Sequence, residues 1–340
     1  MKRFLIVLAV TLGIVSGAFA QTQNFSVFQS DMQSFASGAA SALPLESSVG
    51  LNWSDSYIGQ FPHFGIGLSV GAATLPYSAI KNAVNDFAPG GLPSDLSILQ
   101  TLGIPVPGYT IDLRIGGFVL PFDIGLKFGY IPPNSFSSFN GAKIDYTVFG
   151  LDVRYALVKE KGIIPMISVG LGYTYMKGDV AVPGVLGSSI DIQNLSLNGH
   201  TYDIQFSNPS LNMFWNSNVI DAKIQVSKNL FIITPYIGLG MSYGISHAGG
   251  GMQSQMQVST DGGAAAPVTQ AQLDQFNSAF GTNFTLQNPG FGVNASANGF
   301  ATRLFGGLSL NLFIFKLGLG MEYELLSGSL AGMINARIQF

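Results

Sequence analysis

From Pro62 onward the chain divides into segments of about ten residues in which apolar and polar positions alternate with period two. Such a pattern suits strands with one face toward lipid and the other toward a lumen. Ten segments can be read, over approximately 62–73, 109–119, 122–131, 143–157, 163–177, 216–227, 230–246, 299–311, 313–326 and 329–340. Charge placement tests the phase, because a charge facing lipid is costly. Asp112 and Arg114 oppose Ile111, Leu113 and Ile115, and Asp123 and Lys127 oppose Ile124, Leu126 and Phe128. Asp152 and Arg154 oppose Leu151, Val153 and Tyr155, while Asp221 and Lys223 oppose Ile220, Ala222 and Ile224. Lys316, Glu322 and Glu324 oppose Leu317, Leu319, Met321 and Tyr323, and Arg337 opposes Ala336 and Ile338. Arg303 falls on the same inward set.

Turn lengths predict the topology. Connections near Leu120-Pro121, Lys159-Glu160-Lys161-Gly162, Lys228-Asn229 and Asn311-Leu312 are tight. The alternate ones, 74–108, 178–215 and 247–298, read as long loops, with 132–142 intermediate. The expected fold is therefore all-β: a transmembrane antiparallel up-and-down β-barrel of about ten strands, within a range of roughly 8–14. Short turns belong on the periplasmic side and long loops on the extracellular side, with both barrel ends at the short-turn rim.

A hairpin repeat supports this reading. The upward strands carry Ile66-Gly67-Leu68, Ile124-Gly125-Leu126, Val169-Gly170-Leu171, Ile237-Gly238-Leu239 and Leu317-Gly318-Leu319. The turn words Asn229-Leu230-Phe231-Ile232 and Asn311-Leu312-Phe313-Ile314 also recur. Tyr130, Tyr175, Tyr243 and Tyr323 fall toward one strand end, and Phe122, Phe231, Phe313 and Phe340 toward the other, as aromatic girdles would.

Composition and processing then locate the chain. Lys2 and Arg3, the apolar run Phe4 to Val15 and Ala18-Phe19-Ala20 have the form of a signal peptide cleaved after Ala20. The expected organisation is a signal peptide over 1–20, an N-terminal plug or periplasmic segment over 21–61, and the barrel over 62–340. Hydrophobic residues make up 47 % and charged residues only 10 %, yet no second apolar run could form a spanning helix. In lipid, a closed barrel is the other structure that satisfies its own backbone. With no Cys, neither thiol chemistry nor lipoprotein anchoring is available, and a net charge of −3 gives no reason to expect nucleic acid.

The candidate chemistry lies inside. Thirteen inward charges, six acids and seven bases, are nearly balanced: Asp112, Asp123, Asp152, Asp221, Glu322 and Glu324 against Arg114, Lys127, Arg154, Lys223, Arg303, Lys316 and Arg337. An ion-selective pore would carry a one-sided ring. A balanced set reads more readily as a salt-bridged interior, because an unpaired buried charge is expensive. Inward Gly65, Gly67, Gly170, Gly172, Gly238, Gly240, Gly318 and Gly320 allow two readings: tight barrel curvature, or space for the N-terminal segment or an apolar ligand. Phe25, Phe28, Met32 and Phe35 lie at helical spacing and could form an amphipathic plug, the alternative being an unstructured leader. In the loops, Ile80, Val84 and Phe87, then Leu96 and Leu99, then Leu273, Phe276 and Phe280 before Gly281, form three further helical stripes. They suit either an apolar entry site or small cores that hold the loops closed. Enzymatic chemistry is not expected. His63, His200 and His247 are the only histidines, and they are scattered, with no His-x-Ser pair and no metal-ligand spacing. No cofactor is indicated.

The strand from Leu330 to the aromatic terminal residue Phe340 resembles the assembly signal of bacterial outer-membrane barrels. That resemblance implies residence in the outer membrane, with its lipid and the outer-membrane assembly machinery as partners. Residues 25–58, polar and aromatic, are similar to the N-terminal hatch of long-chain fatty-acid transporters, a family with more strands. The functional expectation is a channel or transporter for small apolar solutes. The alternatives are a closed barrel serving structure or adhesion and, more remotely, a lipid-modifying enzyme.

Overall fold

The computed structural model describes residues 25–59, 63–75, 103–117, 120–131, 143–183, 189–197, 199–283, 285–287 and 290–340. The signal-peptide region and the first two loop stripes, Ile80–Val84–Phe87 and Leu96–Leu99, lie outside these residues, as does the whole 132–142 connection.

The barrel wall is built from β1 (His63–Leu75), β2 (Ile104–Gly116), β3 (Phe122–Ile131), β4 (Lys143–Val158), β5 (Met166–Pro183), β7 (His200–Ser227), β8 (Ile233–Thr260), β11 (Gly290–Leu312), β12 (Phe315–Glu324) and β13 (Leu330–Gln339). Between them lie β6 (Ser189–Leu197), β9 (Ala266–Pro267) and β10 (Thr285–Gln287), together with helices α1 (Phe25–Glu46) and α2 (Gln270–Phe280). Every wall strand pairs antiparallel with its neighbour, and β13 closes the barrel on β1 from Gly65↔Gln339 to Ala73↔Ala331. The ten strands and the placing of both barrel ends at the short-turn rim agree with the alternation.

The alternation becomes a physical partition. Leu68, Leu113, Phe128, Leu171, Leu239 and Leu319 face outward at 47–66 % exposure, with Ser69, Asp112, Lys127 and Asn335 buried on the other parity. A soluble protein seldom leaves so continuous an apolar surface uncovered. The two recurrent turn words form the same turn, with Phe231 and Phe313 at φ 57° and 56° and their rings fully outside.

The long-loop side differs from expectation. The segments read as loops over 178–215 and 247–298 are largely strand: β5 runs on to Pro183, β7 and β8 are 28 residues each, and β11 has 23. β7 pairs with β8 from Ser227↔Tyr236 to Tyr202↔Thr260, so the wall continues beyond its apolar belt as a raised sheet. The belt on β8 ends near Ile245, and the fifteen residues from Ser246 to Thr260 add about 50 Å of strand. Period-two reading misses this part because Gly249-Gly250-Gly251 breaks the alternation, and beyond it Gln253, Gln255 and Gln257 alternate with only Met252, Met256 and Val258, with no charge to mark the phase. The third loop stripe does form a helix. In α2, Thr269 and Gln272 make a capping box and Gly281 closes the C-terminus at φ 65°.

Candidate functional site

The lumen contains the chain's own N-terminal segment. The backbone carrying the Phe25, Phe28, Met32 and Phe35 stripe is helical, and the helix continues past Gly38 and through Pro44 to Glu46. The side chains of those four residues lie outside the described set. What fills the barrel is the stretch after them, from Ala36 to Ile58, in which Ala36, Ala40, Leu43, Leu45, Trp53 and Ile58 are all buried.

Its contacts descend in order. The side chain of Gln29 accepts a hydrogen bond from Asn283 N–H beyond α2, at the long-loop rim. Leu43 packs with Tyr146, Val148 and Met176, flanked by Tyr109 and Trp215. Glu46 accepts from Ala73 N–H at 2.8 Å, at the far end of β1. Lys127 donates to the carbonyls of Ser47 and Val49, the latter at 2.8 Å. Lower still, Gln225 donates to Trp53 O at 2.7 Å, and Ile58 N–H donates to Asp123 at 2.8 Å, close to the short β2–β3 turn. One strap thus runs the full depth of the lumen, from one rim to the other.

The inward charges grip this strap. Asp123 accepts from Arg114 at 2.6 Å and Arg154 at 2.7 Å, and Arg114 also reaches Asp152 at 2.6 Å. Lys223 stands 3.3 Å from Asp152 and donates to Leu51 O and the Asn52 side chain. Arg303 joins Asp221 and Glu322 at 2.6 and 2.9 Å, while Glu322 accepts from Ser48 and Asn52. Asp55, on the strap, takes Lys316 at 2.9 Å and Arg337 at 2.7 Å, and Arg154 donates to its carbonyl at 2.6 Å. The Trp53 ring lies under Arg337 and Arg114, 4.9 and 5.6 Å from their guanidinium carbons.

Two of the thirteen charges stand apart. Asp112 is held by the hydroxyls of Ser69 and Thr110. Glu324 turns to the β12–β13 connection, accepting from the backbone of Thr302, Leu326 and Ser327. The decisive residues that pattern reading did not single out are Asp55 and Trp53. A signal was present: residues 21–61 hold three acids and no base, facing a lumen with one base in excess.

The glycine rows make room for these groups. A Cβ at Gly65 would lie 2.7 Å from the Trp53 ring, and one at Gly240 2.7 Å from the Arg303 guanidinium. The space is therefore taken up by protein.

A family model described as Lsa36-like matches residues 20–340. No curated protein matches the chain. Among solved structures, the transport unit of the autotransporter AIDA-I from Escherichia coli is 9% identical, with 90% of this chain and 99% of that chain covered at a TM-score of 0.28. The toluene transporter TbuX of Ralstonia pickettii is 9% identical over 86% of this chain and 90% of that chain, at 0.24. The toluene transporter TodX of Pseudomonas putida is 10% identical over 82% and 88%, also at 0.24. At such scores these likenesses carry no argument about this chain.

Proposed function

The chain belongs to the Lsa36-like family, and we propose that it is an outer-membrane barrel closed at rest by its own N-terminal strap, whose working surface is the sheet raised above the belt. One observation carries this reading: residues 47–58 are hydrogen-bonded and ion-paired to the wall through the lower half of the lumen, with Asp55 and Trp53 buried in the path. Supporting it, the wall invests three strands of 23 to 28 residues in a structure that lipid does not require. The barrel supplies anchoring, and the raised β6–β7–β8–β11 sheet supplies contact with the exterior.

Conductance in planar bilayers tests the closure. The folded full-length protein should show no steady open state, and a persistent ohmic conductance would sink the proposal.

A second reading, gated passage of small apolar solutes, draws on the Leu43–Tyr146–Val148–Met176 cluster, an apolar zone between strap and wall above the charged half. A Ser54→Cys/Ser309→Cys pair separates the two readings, since these hydroxyls touch at 2.7 Å and the chain has no other thiol. Solute uptake that appears only on reduction favours the gate; no uptake in either state favours the closed barrel.

A further inference from the structure

The sheet brings together three side chains that lie far apart in sequence. Asn216 on β7, His247 on β8 and Ser296 on β11 face one another directly, in the pairs Asn216↔His247 and Ser296↔His247. A ring nitrogen of His247 lies 2.7 Å from Ser296 Oγ, with both residues exposed on the outer wall. Asn216 pairs with His247 from the strand on the other side of β8, and its Oδ1 is buried without a partner. The next residue in this row is Lys177 on β5, opposite Asn216 and exposed.

The level of the row matters. Four residues below it on the same face, Tyr243 and Phe300 pack ring to ring at 4.9 Å, with Met241 and Leu239 of the apolar belt beneath them. Four residues along tilted strands correspond to about 10 Å of height, so the row lies just above the aromatic girdle, where lipid headgroups and ester carbonyls meet water.

We propose that Ser296, His247 and Asn216 form an acyl-ester hydrolase site on the outside of the barrel, with glycerophospholipid esters as substrate. Ser296 is the nucleophile, His247 the base, and Asn216 a positioning residue for the second ring nitrogen, an arrangement identified by geometry and role whatever the chain order. Ser296 Oγ bonds to the ester carbonyl carbon as its proton passes to His247. The intermediate collapses, the bond to the glycerol oxygen breaks, and that oxygen leaves as an alcohol carrying the proton from His247. Water then attacks the acyl-serine while His247 takes its proton and returns it to Oγ, releasing the fatty acid. The sum is ester plus water to acid plus alcohol. Asn298, two residues from Ser296 on the same exposed face, offers an amide donor for the oxyanion, and Lys177 offers a charge for the lipid phosphate. Of this, only the choice of lipid as substrate rests on the outer-membrane reading above.

The test uses the folded full-length protein in mixed micelles. A fluorophosphonate probe should form an adduct on Ser296, located by peptide mass spectrometry and lost in His247→Ala. Fatty-acid release from diacyl phosphatidylethanolamine should fall by about 10³-fold or more in Ser296→Ala, with heat-modifiable migration unchanged. Asn216→Ala should lower kcat and shift its pH profile, and Asn216→Asp, which keeps the acceptor oxygen, should restore both. Turnover of a soluble p-nitrophenyl ester without lipid turnover retains the hydrolase and overturns the lipid substrate. An unlabelled Ser296, no turnover of either ester, or undiminished release by Ser296→Ala overturns the proposal.

Discussion

Asp123 is where wall and strap are most tightly joined, since its two oxygens serve Arg114, Arg154 and the Ile58 amide. Removing the carboxylate leaves the buried Arg154 without its ion partner and Arg114 with Asp152 alone, and breaking a buried pair in this way costs about 3–5 kcal/mol. Asp123→Ala should therefore lower the denaturant midpoint of the detergent-folded barrel substantially, as followed by Trp fluorescence. Asp221→Ala should cost less. Its side chain is 19 % exposed, and Arg303 keeps Glu322 as a partner. Equal and small losses for both would mean that water reaches the network and that the lumen is open. Gly65 makes a second residue-scale test. A methyl group there meets the Trp53 ring at 2.7 Å, so Gly65→Ala should cost about 1–3 kcal/mol by overpacking and raise leak by loosening the strap. Unchanged stability would show that Trp53 is not fixed against β1.

At the scale of elements, the raised sheet has its own chemistry. Asp261 follows β8 and accepts from Thr201 N–H at 2.8 Å and from His200 at 2.6 Å. The Thr201 amide first, and His200 after it, hold its carboxyl below the ordinary value of 3.8. A depressed carboxyl stabilises the fold above its unfolded pKa, and the contribution is lost as pH falls through the lower, folded one. The protection factor of the Thr201 amide should thus stay high at neutral pH and fall only below about pH 4. Loss of protection well above pH 4 would show that the Asp261 carboxylate does not hold this amide. Much of this scale was legible in the sequence, for stated reasons. Strand count, short turns and inward charges were readable because lipid enforces alternation, as at Asp112–Arg114 and Asp152–Arg154. The extension of β7, β8 and β11 was not, because Gly249-Gly250-Gly251 interrupts the alternation and the stretch beyond it, with Gln253, Gln255 and Gln257 on one parity, carries no charge to mark an inward face. The strap was half legible: helical spacing located α1, but Asp55 and Trp53 act through partners some hundred to nearly three hundred residues away, and no local pattern records such pairings.

For the molecule as a whole, the direction of the strap has a consequence for topology. Gln29 meets Asn283 at the long-loop rim, Glu46 meets the far end of β1, and Ile58 meets Asp123 at the short-turn rim, where β1 then begins. The chain therefore passes down the lumen before it builds the wall, and Phe25 stands at the mouth opposite the barrel's two terminal strand ends. If the short turns are periplasmic, as in barrels of this type, the start of α1 at Phe25 faces the cell surface. Assembly then requires the N-terminal segment to be drawn through the closing barrel, and burial of Trp53 and Leu45 in the lumen supplies part of the driving force, about 1.5–3 kcal/mol for each fully buried side chain. An epitope inserted between Thr22 and Gln23 should bind antibody on intact cells, as should one at Gly262, while one at Lys159 should require permeabilisation. An N-terminal tag detected only after permeabilisation, with Gly262 still exposed, would show that the strap does not thread the barrel in the living membrane. A barrel tagged at Lys159 and detected on intact cells would instead reverse the orientation of the whole molecule, leaving the strap's path through the lumen unchanged.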